Sequence, residues 1–438
     1  MASAEQRFGL TTLTAIVIAN MIGAGVFTTS GFTLAALHTP QRVLAAWLIG
    51  GVLALCGALS YGALARRITG SGGEYLFLSR AVHPAAGFVA GWVSLLAGFT
   101  GAIAFAAHAF EAYLLPLISV PAGWPAGWLA VTVIVLAGFA HGVTARPGAV
   151  AQNVLVGVKF ALLCGIVVYA FAFAPATAWQ GGPLLGADGD VAPLSWSALA
   201  LSVMWISLSY SGFNAAVYVA GEVAQARRLV PRALLLGTLL VTALYLALNA
   251  VFVYVPAPAL IAGSEDVAAH AAHALGGRPL ANLVRLVIAL ALLTSVSSMI
   301  MIGPRVYAQM AADGVLPHWF HKAGQVPRRA VALQVVLAVL VVMIAKLEVL
   351  LSYLGFTLTL STALTVASLF VLRARDGAVR VPVPGYPWVP GFYVVTTLAC
   401  ALLAAAHRPL EALVGLLTIG CGLLAWRCSP LPPARGKL

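Results

Sequence analysis

The chain is a succession of apolar stretches, each long enough to cross a bilayer as a helix and each followed by a short polar gap. No other feature restricts the fold as much. In hydrocarbon every backbone N–H and C=O must find a partner within the protein, which leaves helices or closed barrels. The stretches are continuous rather than alternating, so they read as helices and not as strands. Twelve spans are predicted, at 10 to 36, 43 to 64, 85 to 113, 127 to 144, 151 to 174, 197 to 223, 232 to 256, 281 to 311, 330 to 346, 349 to 372, 389 to 407 and 409 to 427. Only 8% of the 438 residues are charged and 62% are apolar, too little polar surface for a protein that faces water on all sides. At about 20 apolar residues per crossing, twelve spans with the short gaps that join them account for the length and leave no room for a substantial soluble catalytic domain.

Lys and Arg number 24 against 12 acids, for a net charge of +12. On a soluble protein that excess would suggest nucleic acid as a partner. Here the basic residues sit in the gaps between spans, where positive charge sets orientation instead. Eighteen fall on the side of the N-terminus: Arg7, Arg66, Arg67, Arg80, Arg146, Arg227, Arg228, Arg232, Arg305, Lys322, Arg328, Arg329, Arg373, Arg375, Arg380, Arg427, Arg435 and Lys437. Arg42, Arg278, Arg285, Lys346 and Arg408 fall on the other side, and Lys159 lies inside a span. Both termini are therefore expected in the cytoplasm. The polar start MASAEQRFG precedes an apolar run too long for a signal peptide, so an uncleaved first span is expected. Cys56, Cys164, Cys400 and Cys421 lie in apolar runs and Cys428 just beyond the last; no pair has metal-ligand spacing, and neither metal nor cofactor is expected.

Three features recur five spans apart. Span one is interrupted by Gly23-Ala24-Gly25, and span six by Ser209-Tyr210-Ser211-Gly212-Phe213-Asn214. Spans three and eight are the long ones, and each follows a loop that reads as a short amphipathic helix, 71 to 80 and 264 to 275. Because five is odd, the second unit must enter the membrane upside down relative to the first, which is the pattern of an inverted repeat. The chain is thus read as one membrane domain: a five-span unit (10–174), its inverted copy (197–372) and two appended spans (389–427).

An interrupted helix in hydrocarbon leaves backbone groups that only protein, water or a ligand can satisfy. The half-helix that starts at Gly25 presents free N–H groups and the positive end of a helix dipole, which suits a carboxylate. Carbonyls around Ile18, Ala19 and Ile22 suit an ammonium, and the break in span six adds carbonyls near Leu208 and Tyr210. A small ligand that carries both charges is an α-amino acid. The alternative for Gly23-Ala24-Gly25 is a small-residue packing face.

The same residues carry a resemblance. Ile22-Gly23-Ala24-Gly25-Val26-Phe27 is similar to the IGxGIF signature of the amino acid, polyamine and organocation transporter superfamily. Ser71-Gly72-Gly73-Glu74-Tyr75-Leu76 resembles its SGGEY loop, residues 212 to 222 its GWN-type break followed by a glutamate, and residues 304 to 317 the segment closing span eight. Four motifs in order, over residues 8 to about 375, imply an all-α membrane protein of the LeuT-type fold, with twelve spans and spans one and six discontinuous. Phe213 stands where the family usually has Trp. The chain is similar to prokaryotic relatives of the L-type and cationic amino acid transporters, which implies a multi-pass protein of a prokaryotic plasma membrane with lipid around it.

Lys159 lies about eight residues from the cytoplasmic edge of span five, or ~12 Å at 1.5 Å per residue. Burial disfavours the charged form of an amine, so Lys159 is a candidate for reversible protonation, or else snorkels along a crevice. The resemblance implies that a span-five lysine stands where sodium-coupled relatives hold sodium, with the carbonyls of Ala19 and Ile22 and hydroxyls among Ser295, Ser297 and Ser298 as neighbours. Proton coupling or sodium-independent exchange follows as the expectation. Asn214 is neutral, with no acid expected near the chamber, so a neutral amino acid fits better than a dication; Tyr210, Phe213 and Ile103 are expected to line its side-chain pocket, and Ser211, Gly212 and Asn214 of the break to belong to the binding site.

Glu74, Glu222, Arg66, Arg67, Arg227, Arg228 and Arg305 fall at the cytoplasmic mouth, either as ion pairs of a gate or as solvated loop charge. His108 with Glu111, His270 and His273 with Glu265 and Asp266, and His318 with His321 read as interfacial or loop groups. An enzyme of this class would need clustered His, Asp or Glu facing water, and the sequence has none. A polyamine or cationic amino acid exchanger, a channel and a non-transporting amino acid sensor remain as alternatives on the same scaffold.

Overall fold

Each predicted apolar run coincides for most of its described length with helical backbone in the computed structural model. It describes residues 9–428 except 71, 120, 122, 144–148, 187, 313, 315 and 317–327, and within helices it leaves aside the side chains of 143, 149–156, 222, 302, 305, 308, 309, 312 and 428. His318 and His321, both chain ends, and the side chains of Glu222 and Arg305 therefore lie outside the described residues.

The helices are α1 (Leu10–Met21), α2 (Gly25–Leu37), α3 (Pro40–Arg67), α4 (Gly73–Ala81), α5 (Pro84–Val93), α6 (Ala102–Leu114), α7 (Trp128–Val143), α8 (Ala149–Ala172), α9 (Trp196–Ser209), α10 (Ala226–Tyr254), α11 (Pro258–Ile261), α12 (Val267–Ala312), α13 (Arg328–Ile344), α14 (Leu347–Asp376), α15 (Trp388–His407) and α16 (Pro409–Cys428). No strand is present among the described residues, only one isolated bridge, Leu185 to Val191. Among the described residues seven helical segments are long and apolar enough to cross a membrane, one of them running from α5 through α6, and α1 with α2, bent by 42° at their break, make an eighth. The protein is an all-helical membrane protein.

Besides span one, three spans depart from straight α-helix. Between α5 and α6 the backbone widens into a π-helical stretch, Ser94–Gly101, so span three is one rod with an irregular middle. Span six does not resume as α-helix after its break. It continues as a 3-10 stretch, Ala215–Glu222. Within α12 the non-helical angles of Gly276 and Gly277 break the helix, so the expected short helix and span eight are two helices that meet at a kink.

Packing sorts most spans into two groups. The α1–α2 span, α3, α9 and α10 pack on one another, with α3 lying along α10 over the most extensive surface. The second group is α6, α7, α12 and α13. α8 touches both groups, through α10 and α12, and α14 packs against α9, α15 and α16. Gly62 and Gly237 allow the first group to close up: a Cβ at Gly62 would lie 3.0 Å from Pro231, and one at Gly237 2.6 Å from Val17.

Candidate functional site

The break in span one is built by Ile22, Gly23 and Ala24. Ile22 leaves helical geometry at ψ 78°, and the N–H of Gly23 turns to the carbonyl of Met21 at 2.8 Å. The carbonyl of Ala19 thereby loses the donor it would have in a continuous helix. Downstream, α2 restarts with only Phe27 N–H engaged, on Ala24 O at 3.1 Å. Among the described residues the N–H groups of Ala24, Gly25 and Val26 have no hydrogen-bond partner, nor have the carbonyls of Ala19 and Asn20. A positive helix end and a pair of unclaimed acceptors thus sit within a few residues of each other. Of the other carbonyls singled out from the sequence, Ile18 O accepts from Ile22 N–H, and Ile22 O accepts from Lys159.

The second break lies against the first. A Cβ on Gly25 would meet Ser209 Oγ at 2.4 Å and Ser209 Cα at 2.8 Å, and one on Gly212 would meet Asn20 O at 2.7 Å. Gly212 also has φ +104°, a conformation that a side chain would strain. Small residues at 25 and 212 therefore let the two interruptions touch. Two further groups bind them together: Thr29 Oγ1 lies 3.1 Å from Ser209 Oγ, and Tyr245 Oη lies 2.6 Å from Met21 O and 3.2 Å from Ser209 O.

The two halves of span one differ in exposure. α2 is buried at every residue from Gly25 to Leu34. Polar bonds lock it there: Ser30 donates to Asn249, Trp47 Nε1 donates to Ser30 Oγ at 2.9 Å, and Tyr113 Oη donates to Phe27 O at 2.8 Å. α1 is looser, with Thr11, Thr12, Ala15 and Asn20 exposed, and Ser211 of the second break is exposed too.

Side chains expected in a pocket mostly turn elsewhere. Tyr210 is 1% exposed and packs against Trp47 and Tyr245, with ring centres 5.8 and 5.1 Å away. Phe213 packs edge-on against Tyr61 at 5.2 Å and fills the notch at Gly57. Leu208 is half-buried, and its carbonyl already accepts from Ser211 N–H at 3.0 Å. Ile103 is fully buried in α6 just past the π-helical stretch. What remains around the two breaks is chiefly backbone, with Asn20, Gly23 and Ser211 at the accessible edge.

Lys159 is 5% exposed. Its ammonium donates to Ile22 O, one of the two carbonyls expected for it. The span-eight hydroxyls are engaged elsewhere in two cases: Ser295 donates to Ala291 O at 3.1 Å within its own helix, and Ser297 pairs with His141 Nε2 at 2.7 Å. Ser298 is half-buried one residue further along. His141, buried in α7, escaped the sequence reading, although a histidine within an apolar run is itself a signal.

The cytoplasmic mouth differs from its expected chemistry. Among the described residues Glu74 does not pair with an arginine. Its Oε1 accepts from Tyr61 Oη at 3.0 Å and from Asn214 Nδ2 at 2.5 Å, while Oε2 accepts from Tyr218 Oη at 2.5 Å. The buried carboxylate thus ties α4 to the second break, so an acid does reach the chamber's edge, though three donors already occupy it. Arg67 pairs with Asp376 at 2.7 Å, and Asp376 also binds Arg375 at 2.9 Å.

Glu111 proves structural: its oxygens accept from Gly127 N–H at 2.7 Å and Ala130 N–H at 3.0 Å, capping the start of α7. In the outer loop, burial opposes ionisation of Asp266, but hydrogen bonds from His270 and Arg285 outweigh it and hold the carboxyl down at about 2. No group of three or more His, Cys, Asp or Glu able to hold a metal exists among the described residues.

Two interrupted helices in contact, with uncommitted backbone donors and acceptors between them, define an all-helical membrane protein whose polar centre is made mainly of main chain. The family model described as amino acid permease matches residues 8–409, and the chain belongs to that family. It is 26% identical to the serine/threonine exchanger SteT of Bacillus subtilis (strain 168), over 94% of this chain and 95% of that one. It is 24% identical to the Asc-type amino acid transporter 1 of Mus musculus, covering 97% of this chain and 82% of the relative. The b(0,+)-type amino acid transporter 1 of Mus musculus is 25% identical, over 96% and 87%. The likeness to the amino acid, polyamine and organocation superfamily read from the motifs therefore holds, and the protein is a permease rather than an enzyme.

Proposed function

We propose that the chain is a secondary transporter that moves a neutral L-amino acid across a prokaryotic plasma membrane by alternating access, without sodium. One observation carries this reading: unpaired N–H groups at Ala24, Gly25 and Val26 lie beside unpaired carbonyls at Ala19 and Asn20, a complement to a zwitterion of α-amino acid size. The named exchangers and transporters among the relatives support the substrate class.

Twelve spans arranged as five plus five inverted, with two appended, fit the two packing groups. Spans one, two, six and seven form one and spans three, four, eight and nine the other, so each group maps onto itself under a shift of five. In this reading both termini are cytoplasmic, the buried α2 half is the closed outer side, and the exposed face of α1 with Asn20 and Ser211 is the inner entry. Rocking of one group against the other exposes the breaks to each side in turn. Lys159, bonded to Ile22 O, supplies either the proton that couples uptake or a fixed charge that serves exchange. A dicationic substrate is disfavoured because Glu74 is saturated by Tyr61, Asn214 and Tyr218.

The test is reconstitution of the full chain into liposomes loaded with one unlabelled amino acid at a time. Saturable counterflow of a labelled neutral amino acid, unchanged when sodium is replaced by choline, is the expected result. Ligand-induced thermal stabilisation with no flux would make it a sensor, and conductance without saturation a channel; either outcome ends the transporter reading.

A further inference from the structure

A cavity of about 640 Å³ opens where α3 ends and α10 begins, apart from the helix breaks. Its charged lining is all arginine: Arg66 and Arg67 from α3, Arg227, Arg228 and Arg232 from α10, and Arg380 from the loop after α14. We propose that this cavity is a binding site for phosphate groups, in which guanidinium forks from three separate segments close on one polyanionic head.

Orientation in the membrane accounts for positive charge on this side of the protein, but not for its convergence into one concavity. Nor do helix dipoles account for it. Arg66 and Arg67 sit in the last turn of α3, where a cation is favoured. Arg227 and Arg228 sit in the first turn of α10, where a cation is disfavoured, and that helix has no side-chain cap or acidic residue at its start. Their charges reinforce the positive end of the helix instead of offsetting it. Among the described residues, only Arg67 of the six has an acidic partner, Asp376.

The rim is also held in place. Arg373 donates to Val381 O at 3.0 Å and its guanidinium lies 4.1 Å from the centre of the Tyr386 ring, while Val381 is fully buried. The loop bearing Arg380 is thereby fastened beside the α3–α10 pair. Arginine offers paired N–H donors that match phosphate oxygens, whereas a single carboxylate would neutralise only one of these groups. Two sources present such chemistry at the inner face of a membrane: the headgroup of an anionic phospholipid and a soluble diphosphate.

The full chain in uncharged detergent separates them. Its melting temperature is followed against inorganic pyrophosphate, and in parallel against cardiolipin or phosphatidylglycerol added to phosphatidylcholine micelles. At least one source is expected to stabilise the protein, with a half-effect concentration raised about tenfold or more in the Arg227→Gln, Arg228→Gln double variant. The Arg227→Lys, Arg228→Lys pair, which keeps charge but loses the forks, is expected to fall nearer the Gln pair than the unaltered protein. Arg380→Gln, on an exposed loop, gives a second comparison where the helix variants fold poorly. A response to pyrophosphate assigns the site to a soluble ligand, and a response to lipid alone assigns it to a headgroup. No response to either source overturns the proposal, and so does a Lys pair that behaves like the unaltered protein, since charge alone would then suffice.

Discussion

The ammonium of Lys159 donates to the carbonyl oxygen of Ile22, joining the middle of α8 to the residue at which the first helix stops. A proton gained or lost at that nitrogen acts directly on the backbone of the break. Lys159→Ala is therefore expected to leave Ile22 O unsatisfied, at a cost of about 1–3 kcal/mol, and to flatten the pH dependence of transport. The measurement is uptake into liposomes under an inward proton gradient, compared with no gradient. Gradient-driven accumulation that survives the substitution removes Lys159 from coupling.

Gly25 is one of the two positions at which the broken spans touch. Alanine there puts a methyl 2.8 Å from Ser209 Cα, so the contact cannot be relieved by moving a side chain. Overpacking of this kind costs about 1–3 kcal/mol, and spreading the breaks also displaces the free N–H groups. Gly25→Ala should lower thermal stability and weaken amino acid binding, and Gly25→Val should abolish binding. Ser209→Ala in the same chain should not rescue either variant, because the clash is with Cα as well as Oγ. Unaltered ligand-induced thermal shifts in Gly25→Val would show that the breaks do not bind substrate.

Hydropathy made the spans legible, since a continuous apolar run can only be a buried or lipid-facing helix, and clustered Gly and Ser exposed both interruptions. What could not be read was the partner of each polar group. Glu74, surrounded in sequence by arginines, bonds instead to Tyr61, Asn214 and Tyr218, because burial rewards donors that come without a second charge to desolvate. Tyr210 and Phe213 read as pocket residues because they lie at a break, yet the turn at Gly212 aims them into α3 and α10. Tyr245 could have been noticed, as it stands one turn before Asn249 in an otherwise apolar run, but its task depends on where two distant breaks meet.

Glu74 holds α4 on the second break. Glu74→Gln keeps the shape but offers one acceptor oxygen and an NH₂ group to three donors, so at least one donor faces a donor. Hydrogen bonds to charged groups contribute about 1.5–3 kcal/mol each, and the variant is expected to melt at lower temperature and to show slower counterflow. Tyr218→Phe removes only one of these bonds and should do less. Combining the two should cost less than the sum, since both act on the same carboxyl. Strict additivity in the melting data would mean that the three contacts do not form a unit.

Tyr245 carries one hydroxyl hydrogen and faces two carbonyls, Met21 O at 2.6 Å and Ser209 O at 3.2 Å. Each carbonyl belongs to the last residue of a helix that stops in mid-span, so a single donor is shared between both breaks. The hydrogen can favour either acceptor as the distances change, which lets the tie persist while the two groups of helices shift. Tyr245→Phe fills the same space and removes only the donor. Met21 O keeps the N–H of Gly23, so the carbonyl left unpaired is that of Ser209, at about 1–3 kcal/mol, enough to slow transport by roughly tenfold or more if that tie is kept through the transition. Counterflow rate and melting temperature, measured on the same preparation, distinguish the possibilities. A large drop in stability with an unchanged rate per folded molecule would make Tyr245 a packing residue, and a slowed rate per folded molecule with a melting temperature lowered by only a few degrees is the expected result.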